Sequence, residues 1–348
     1  MNSKERVLCS LNHVQPDRIP VDLQYTPEIA KILMRHFKTK DIEDVWKGLD
    51  VDCRWIGPGY KGPAAKVFPD GSYEGWGGSV WRTVKNSFGS YDDVVKYVAD
   101  EAETPEDLDR LLRLPDVDDY NYEDITEGCR LYNDYFLIAG GASMFYYPTM
   151  VRNMENILVD MAINPDLAEA LFQKSVDWHL KHHERILDAG KGRIDAIQIA
   201  DDFSTQRGPL FSVEMFRAYF EGFFKLFVDM GKSHGAKIYL HCCGSSYAFI
   251  PDLIRWGVEI LDPIQISAAD MEPGNLKTKF GDRLSFHGGV ETQSVLPNGT
   301  PDEVRAHVRE LIHVLGANGG YILASCHCIQ PDVPLENILA MYEPGNRK

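Results

Sequence analysis

Two short clusters in the C-terminal third of the chain, His241-Cys242-Cys243-Gly244 and Cys326-His327-Cys328, bring together residue types that bind soft metal ions. Imidazole nitrogen and thiolate sulfur suit zinc, and a set of three protein ligands leaves a position open for chemistry. Each cluster follows an apolar, strand-forming run, Lys237-Ile238-Tyr239-Leu240 before the first and Tyr321-Ile322-Leu323-Ala324 before the second. Side chains alternate faces along a strand, so His241 and Cys243 are expected on one face and Cys242 on the other. His327, at the centre of the second cluster, is the candidate third ligand; Cys326 and Cys328 flank it and stand as alternatives. Cys9, Cys53 and Cys129 are scattered, and the cysteine count of 7 is odd. With no signal-like apolar run at the N-terminus, this usage points to a reducing cytoplasm and to thiolate ligands rather than disulfides.

Ligands on two distant strands need a frame that brings their ends together. Eight short β-rich runs are expected as strands: 18–22, 51–56, 136–140, 196–201, 237–242, 259–264, 284–288 and 321–325. Amphipathic segments separate most of them. The stretch 212–234 starts on the N-cap Ser212, and 301–315 follows Thr300 with Pro301, Asp302 and Glu303 in its first turn. Strand–helix alternation of this length predicts a single α/β chain closed as a (β/α)8 TIM-type barrel. No GxGxxG follows the first strand, which argues against a dinucleotide fold. The Gly-, Pro- and aromatic-rich stretch 57–130 breaks the alternation and is expected to be a β-rich insertion after the second strand, with a hairpin near Gly71–Trp81.

Barrels of this kind carry their chemistry at the C-terminal ends of the strands. There the chain places Asp201-Asp202, Gln265 and His287-Gly288-Gly289 beside the two Cys/His clusters. Asp202 and His287 are candidates for orienting or protonating a substrate. The aromatics Phe145, Tyr146 and Tyr147, and Trp76 with Trp81, read as core, although they would also suit an aryl ligand. His179, His182 and His183 lie in a charged helical stretch and are expected at the surface.

The formal charge of -16 over 348 residues repels phosphate backbones and anionic lipid heads, which excludes nucleic acid and membrane surfaces as partners. No run approaches the roughly 20 apolar residues of a membrane span.

The chain resembles the uroporphyrinogen decarboxylase-like superfamily, and within it the corrinoid-dependent methyltransferases. The resemblance runs through Arg6-Val7-Leu8, Leu11-Asn12-His13 and Pro16-Asp17-Arg18-Ile19-Pro20-Val21, then Asp201-Asp202 with Thr205-Gln206. It continues through His241 to Gly244, Phe286-His287-Gly288-Gly289 to Thr292-Gln293, and His327 with Ile329 to Pro334 and Glu336-Asn337. It implies a barrel spanning 1–348 with its site at the C-terminal mouth. It further implies a zinc ion held by His241, Cys243 and a later residue, here His327 where relatives carry Cys, and substrate contacts from Gln206 and Gln265. The decarboxylases grip porphyrin carboxylates with N-terminal arginines, whereas this chain has Pro20-Val21-Asp22-Leu23-Gln24-Tyr25 there. The expected activity is therefore transfer of a methyl group from a small O-methyl donor, a methyl aryl ether, to cobalamin carried by a partner corrinoid protein. Methylation of a thiol, decarboxylation, and non-catalytic corrinoid or substrate binding are the competing readings.

Overall fold

The computed structural model describes residues 1–86 and 89–343. Seven parallel strands run side by side: β1 (Cys53–Trp55), β2 (Phe136–Ala142), β3 (Ala196–Ala200), β4 (Lys237–His241), β5 (Ile260–Asp262), β6 (Ser285–Val290) and β7 (Tyr321–Ser325). Helices Pro165–Gly190, Val213–Ser233, Ile250–Trp256, Pro273–Phe280 and Pro301–Leu315 each return the chain for the next strand. This is the expected TIM-type α/β barrel.

Its eighth position departs from expectation. The run 18–22 forms no strand but a single parallel bridge, Val21 to Leu323 of β7. Pro20 has no N–H to give to a ladder, and the Val21 N–H donates to the Asp52 carboxylate (3.0 Å) instead of to a backbone carbonyl. The backbone still closes the circle: Leu323 N–H donates to Pro20 (2.9 Å), Asp22 N–H to Leu323 (2.9 Å), and Asp52 N–H to Val21 (2.9 Å). Asp52 is fully buried and held by Arg6 (2.7 Å) and Arg18 (2.7 Å), which gives the Arg6 and Arg18 signature a structural task.

The N-terminal end of the barrel is plugged. Helix Ser3–Leu11 sends Val7 and Leu11 into a cluster with Cys53, Phe136, Ile138, Tyr239 and Ile322, and the Ser10 hydroxyl donates to the Tyr321 carbonyl (2.9 Å). Only the opposite end, where the strand C-termini lie, is left for chemistry. Between β1 and β2 stand an antiparallel sheet of Tyr73–Glu74, Val80–Lys85 and Ser90–Lys96 and a short pairing of Gly59–Tyr60 with Tyr120–Asn121. No helix among the described residues is long and apolar enough to cross a membrane.

The histidines of helix Pro165–Gly190 are not at the surface. His179, His182 and His183 are 2%, 7% and 1% exposed, packed against Trp76, Tyr120, Tyr147 and Trp178. The helix buries two faces, one on the barrel and one under the segment joining β1 to β2, so the periodicity of a one-sided helix misleads. Burial lowers all three basicities, that of His183 to about 4. A histidine whose folded pKa is depressed contributes stability that is full above its unfolded pKa near 6.5 and is lost as pH falls toward 4. Denaturant titrations at pH 7.5 and pH 5 are expected to show a loss of about 2 kcal/mol for His183 alone; unchanged stability would contradict its burial as a neutral ring.

Candidate metal centre

The site is built on the C-terminal tips of β4, β5 and β7. His241 is the last residue of β4 and pairs in register with Asp262, the last residue of β5. Beyond the strand, Cys242 turns into the core and is 1% exposed, while Cys243 returns to the side of His241. The turn depends on Gly244, at φ 85°, where a Cβ would stand 2.6 Å from the Thr205 carbonyl oxygen. Only a residue without a side chain passes that close in that conformation. The backbone around Cys243 is fixed by two side chains: Cys243 N–H donates to Asp202 (2.7 Å) and Gly244 N–H to Gln265 (2.9 Å).

His241, Cys243 and His327 converge. Their ligand atoms all lie within 4.8 Å of one another, His241 Nε2 is 3.4 Å from Cys243 Sγ, and the two imidazole rings stand 5.8 Å apart. The other cysteines of the second cluster fall outside this converging set. Cys326 is buried with its thiol on the Ile264 carbonyl (3.3 Å), and Cys328 lines a separate cavity with His241 and His327.

Behind His241 runs a chain of charged groups that sequence reasoning missed. His241 Nδ1 donates to Asp262 Oδ2 (2.6 Å), which turns Nε2 toward Cys243. The second oxygen of Asp262 takes His287 Nδ1 (2.6 Å), His287 Nε2 reaches Asp22 (3.2 Å), and Asp22 accepts the Trp55 indole N–H (2.9 Å). His287, Asp262 and Asp22 are all fully enclosed. Burial alone would lower the His287 pKa, but the charge of Asp262 and the hydrogen bonds to Asp22 and Asp262 outweigh it and raise the value to about 9. His287 is thus an imidazolium between two carboxylates, placed behind His241 rather than on a cavity wall. Burial likewise works against His241, and the bonds to Asp262 and Cys243 overcome it, so its pKa lies well above the ordinary value. The Cys243 thiol is raised by burial and drawn back down by His241.

The adjacent aspartates divide their work. Asp201 is buried and collects four donors from one loop: Ser143 Oγ (2.6 Å) and the N–H groups of Met144 (2.6 Å), Phe145 (2.9 Å) and Tyr146 (2.7 Å). Burial raises its pKa to about 6 in spite of these donors. Asp202 faces the centre through Cys243. The loop that Asp201 holds puts Phe145 in the core and leaves Tyr146 partly exposed, near enough for Asp202 and Cys243 to add to the burial that keeps its hydroxyl protonated. Tyr147 and Trp76 pack on His179 and serve the scaffold.

Two cavities meet at the three converging ligands and share His327 as a wall. One, of about 310 Å³, contains Cys243 and is lined by Ser204, Thr205, Gln206, Gln265, Thr292 and Gln293; Gln206 Nε2 donates to Gln293 Oε1 across it (3.1 Å). The other, of about 520 Å³, contains His241 and is lined by Leu23, Tyr25, Trp46 and Trp55, with Gln24 and Gln198. The aromatic residues lining the cavity with His241 are therefore Tyr25, Trp46 and Trp55, not those of the 57–130 stretch. The signal for Asp262 was a carboxylate in register with His241, visible once the two strands are paired.

Among solved structures, the fold is similar to that of a methyltransferase from Methanosarcina mazei, at 18% identity over 98% of this chain and 97% of that one, with a TM-score of 0.66. A D-psicose 3-epimerase matches over 60% of this chain and 71% of its own, at 16% identity and a TM-score of 0.35. No curated protein sequence matches the chain at a significant level. The sequence profile of uroporphyrinogen decarboxylase (URO-D) matches residues 89–346, a span that carries β2 to β7 and all three converging ligands. The chain belongs to the uroporphyrinogen decarboxylase (URO-D) family.

Proposed function

We propose that this chain is a zinc-dependent methyltransferase that moves the methyl group of a small methyl aryl ether to the cobalt of a corrinoid carried by a partner protein. The observation that carries the reading is the His241, Cys243, His327 set, whose Nε2 and Sγ atoms lie 3.4 Å apart with Asp262 behind His241. The donor set fits zinc: two imidazoles and one thiol, a carboxylate fixing the tautomer of one ligand, and open space on two sides. Zinc bound there supplies a Lewis acid for the donor oxygen, and two neutral imidazoles leave it more electrophilic than a set of thiolates would.

In the reaction the methyl C–O bond breaks and its electron pair stays on oxygen. The reduced corrinoid, a co-substrate, supplies the pair for the new Co–C bond, and one proton from solvent neutralises the departing phenoxide. The chain's own residues orient and exclude. Asp262 and His287 hold His241, Asp202 and Gln265 hold the Cys243 turn, and Gln206 lines the polar cavity. His287 is assigned a positioning role because both of its ring nitrogens are already engaged. Residues 57–130 are assigned as an insertion within one barrel unit spanning 1–348. All seven cysteines are free, in keeping with a reducing, cytoplasmic setting.

The test is a methyl-transfer assay on metal-loaded protein with cob(I)alamin and a panel of aryl methyl ethers, methylamines and thiols, alongside metal analysis. Ether-dependent formation of methylcobalamin with stoichiometric zinc is expected. Reaction of thiols alone, and only from methylcobalamin, would replace this reading with thiol methylation.

A further inference from the structure

We infer that the cavity walled by Trp46, Trp55 and Tyr25 is a specificity pocket for an uncharged, single-ring methoxyarene, and that it rejects methoxybenzoates and methylammonium donors. The inference rests on the methyl ether reading above and narrows its substrate class.

The two cavities offer opposite chemistry to an organic donor. On the Cys243 side the walls are hydroxyls and primary amides, several already bonded to one another or to backbone. On the His241 side they are Leu23, three large aromatic rings and the amides of Gln24 and Gln198. A flat ring gains from aromatic partners both by burial and by edge or face contact, and gains little among amides. At about 520 Å³ the cavity falls in the size range of small-molecule sites and has room for a substituted benzene with its oxygen toward His241 and His327.

Two of the walls, Trp46 and Trp55, are held in place before any ligand arrives. Trp55 is tied by its indole N–H to Asp22 (2.9 Å) and stands edge-on to Tyr239. Trp46 is backed by Arg54, whose guanidinium lies 4.8 Å from the ring centroid and is forked onto Glu43 at 2.9 and 3.0 Å. The Tyr25 hydroxyl lies beside the Trp46 indole. Such preorganisation removes the ordering cost of binding.

Charge sets the exclusions. Among the described residues no lysine or arginine lines this cavity, and the Arg54 charge is paired with Glu43 behind Trp46. With the ether oxygen at His241 and His327, a carboxylate on the far side of the ring would lie among Leu23, Trp46 and Trp55 with Asp22 just behind Trp55, a costly desolvation. A methylammonium donor would seek the face of an aromatic ring, and Arg54 already occupies that role at Trp46.

Isothermal titration of the full chain, free of added metal, tests this with three probes: 2-methoxyphenol, 4-hydroxy-3-methoxybenzoate and tetramethylammonium. The neutral arene is expected to bind at least about tenfold tighter than either ion. Trp46→Leu, which keeps the wall apolar but removes the ring, should weaken it roughly five- to tenfold, and Trp46→Phe should restore most of the loss. Tighter or equal binding of the benzoate or the ammonium overturns the inference without any variant being needed. A larger loss from Gln293→Ala than from Trp46→Leu overturns it as well, by placing the ring in the polar cavity. If the neutral arene binds as stated but no ether transfers its methyl group, the pocket stands and the proposed reaction falls. If a methoxybenzoate proves the better methyl donor, the reaction stands and the pocket's selectivity falls.

Discussion

Cys243→Ser is expected to leave the fold intact, strip the protein of stoichiometric zinc, and take methyl transfer below detection. Serine keeps the size and the backbone bonds of the position, namely Cys243 N–H to Asp202 and the Gly244 turn that follows. What it removes is the sulfur that lies within 4.8 Å of the ligand atoms of both His241 and His327. A neutral hydroxyl is a poor zinc ligand beside a thiolate, so metal affinity should fall by more than the roughly 100-fold that follows when a hydrogen-bonding partner of a ligand is lost. Metal analysis after dialysis and an unchanged far-ultraviolet circular dichroism spectrum check the two halves of the expectation. Full zinc occupancy in Cys243→Ser would remove Cys243 from the ligand set, and Cys328, the nearer of the flanking cysteines to the aromatic cavity, would be the next residue to test.

Asp262→Asn is expected to be nearly as damaging by a different route. One carboxylate accepts from His241 and His287 together, at 2.6 Å each. An amide cannot accept both, and it turns a donor toward one of the two rings. Loss of the His241 partner should lower zinc affinity about 10- to 100-fold. Loss of the His287 partner leaves a buried imidazolium with Asp22 alone, and breaking a buried ion pair by removing one member costs about 3–5 kcal/mol. The pH dependence separates these effects. His287 has a folded pKa raised to about 9, so the stability it contributes is full below about 6.5 and is lost as pH rises through 9. Wild-type protein should therefore lose stability between pH 7 and pH 9.5, and Asp262→Asn should lose much less over the same range. Parallel slopes for the two proteins would mean that His287 is neutral in the native state.

The barrel and the convergence of His241, Cys243 and His327 were legible because both follow from local rules. Alternating runs of period 2 and period 3.6 name the strands and helices, and the strand-end rule says where polar residues gather. The pairing of His241 with Cys243 and not Cys242 needs only the alternation of side chains. Asp262 and Trp46 were not legible for a shared reason: each acts through a neighbour distant in sequence. Asp262 matters because β4 and β5 align it with His241, and register cannot be read from either strand alone. Trp46 sits on a short helix, Ile42–Gly48, whose residues look like ordinary core. The buried histidines of Pro165–Gly190 fail in the same way, since a second covering layer is invisible to the helix's own pattern. His287 was noticed as a strand-end residue, but only the positions of Asp22 and Asp262 reveal that both of its nitrogens are occupied.

The eighth barrel position, closed by isolated bridges at Val21 and Tyr25 and by the side chain of Asp52, is a seam in a wall otherwise made of continuous ladders. Segments with few backbone hydrogen bonds open first in native-state fluctuations. The residues that follow Val21 on this seam, Asp22 to Tyr25, are the ones that flank or line the aromatic cavity. Closure of the barrel and occupancy of that cavity are therefore linked equilibria, because a molecule that binds only the closed seam stabilises it by an amount set by its concentration relative to its Kd, about 2.7 kcal/mol at a hundredfold excess. In this protein the substrate would act as the missing stave, and the barrel would be most fully a barrel when it is holding one.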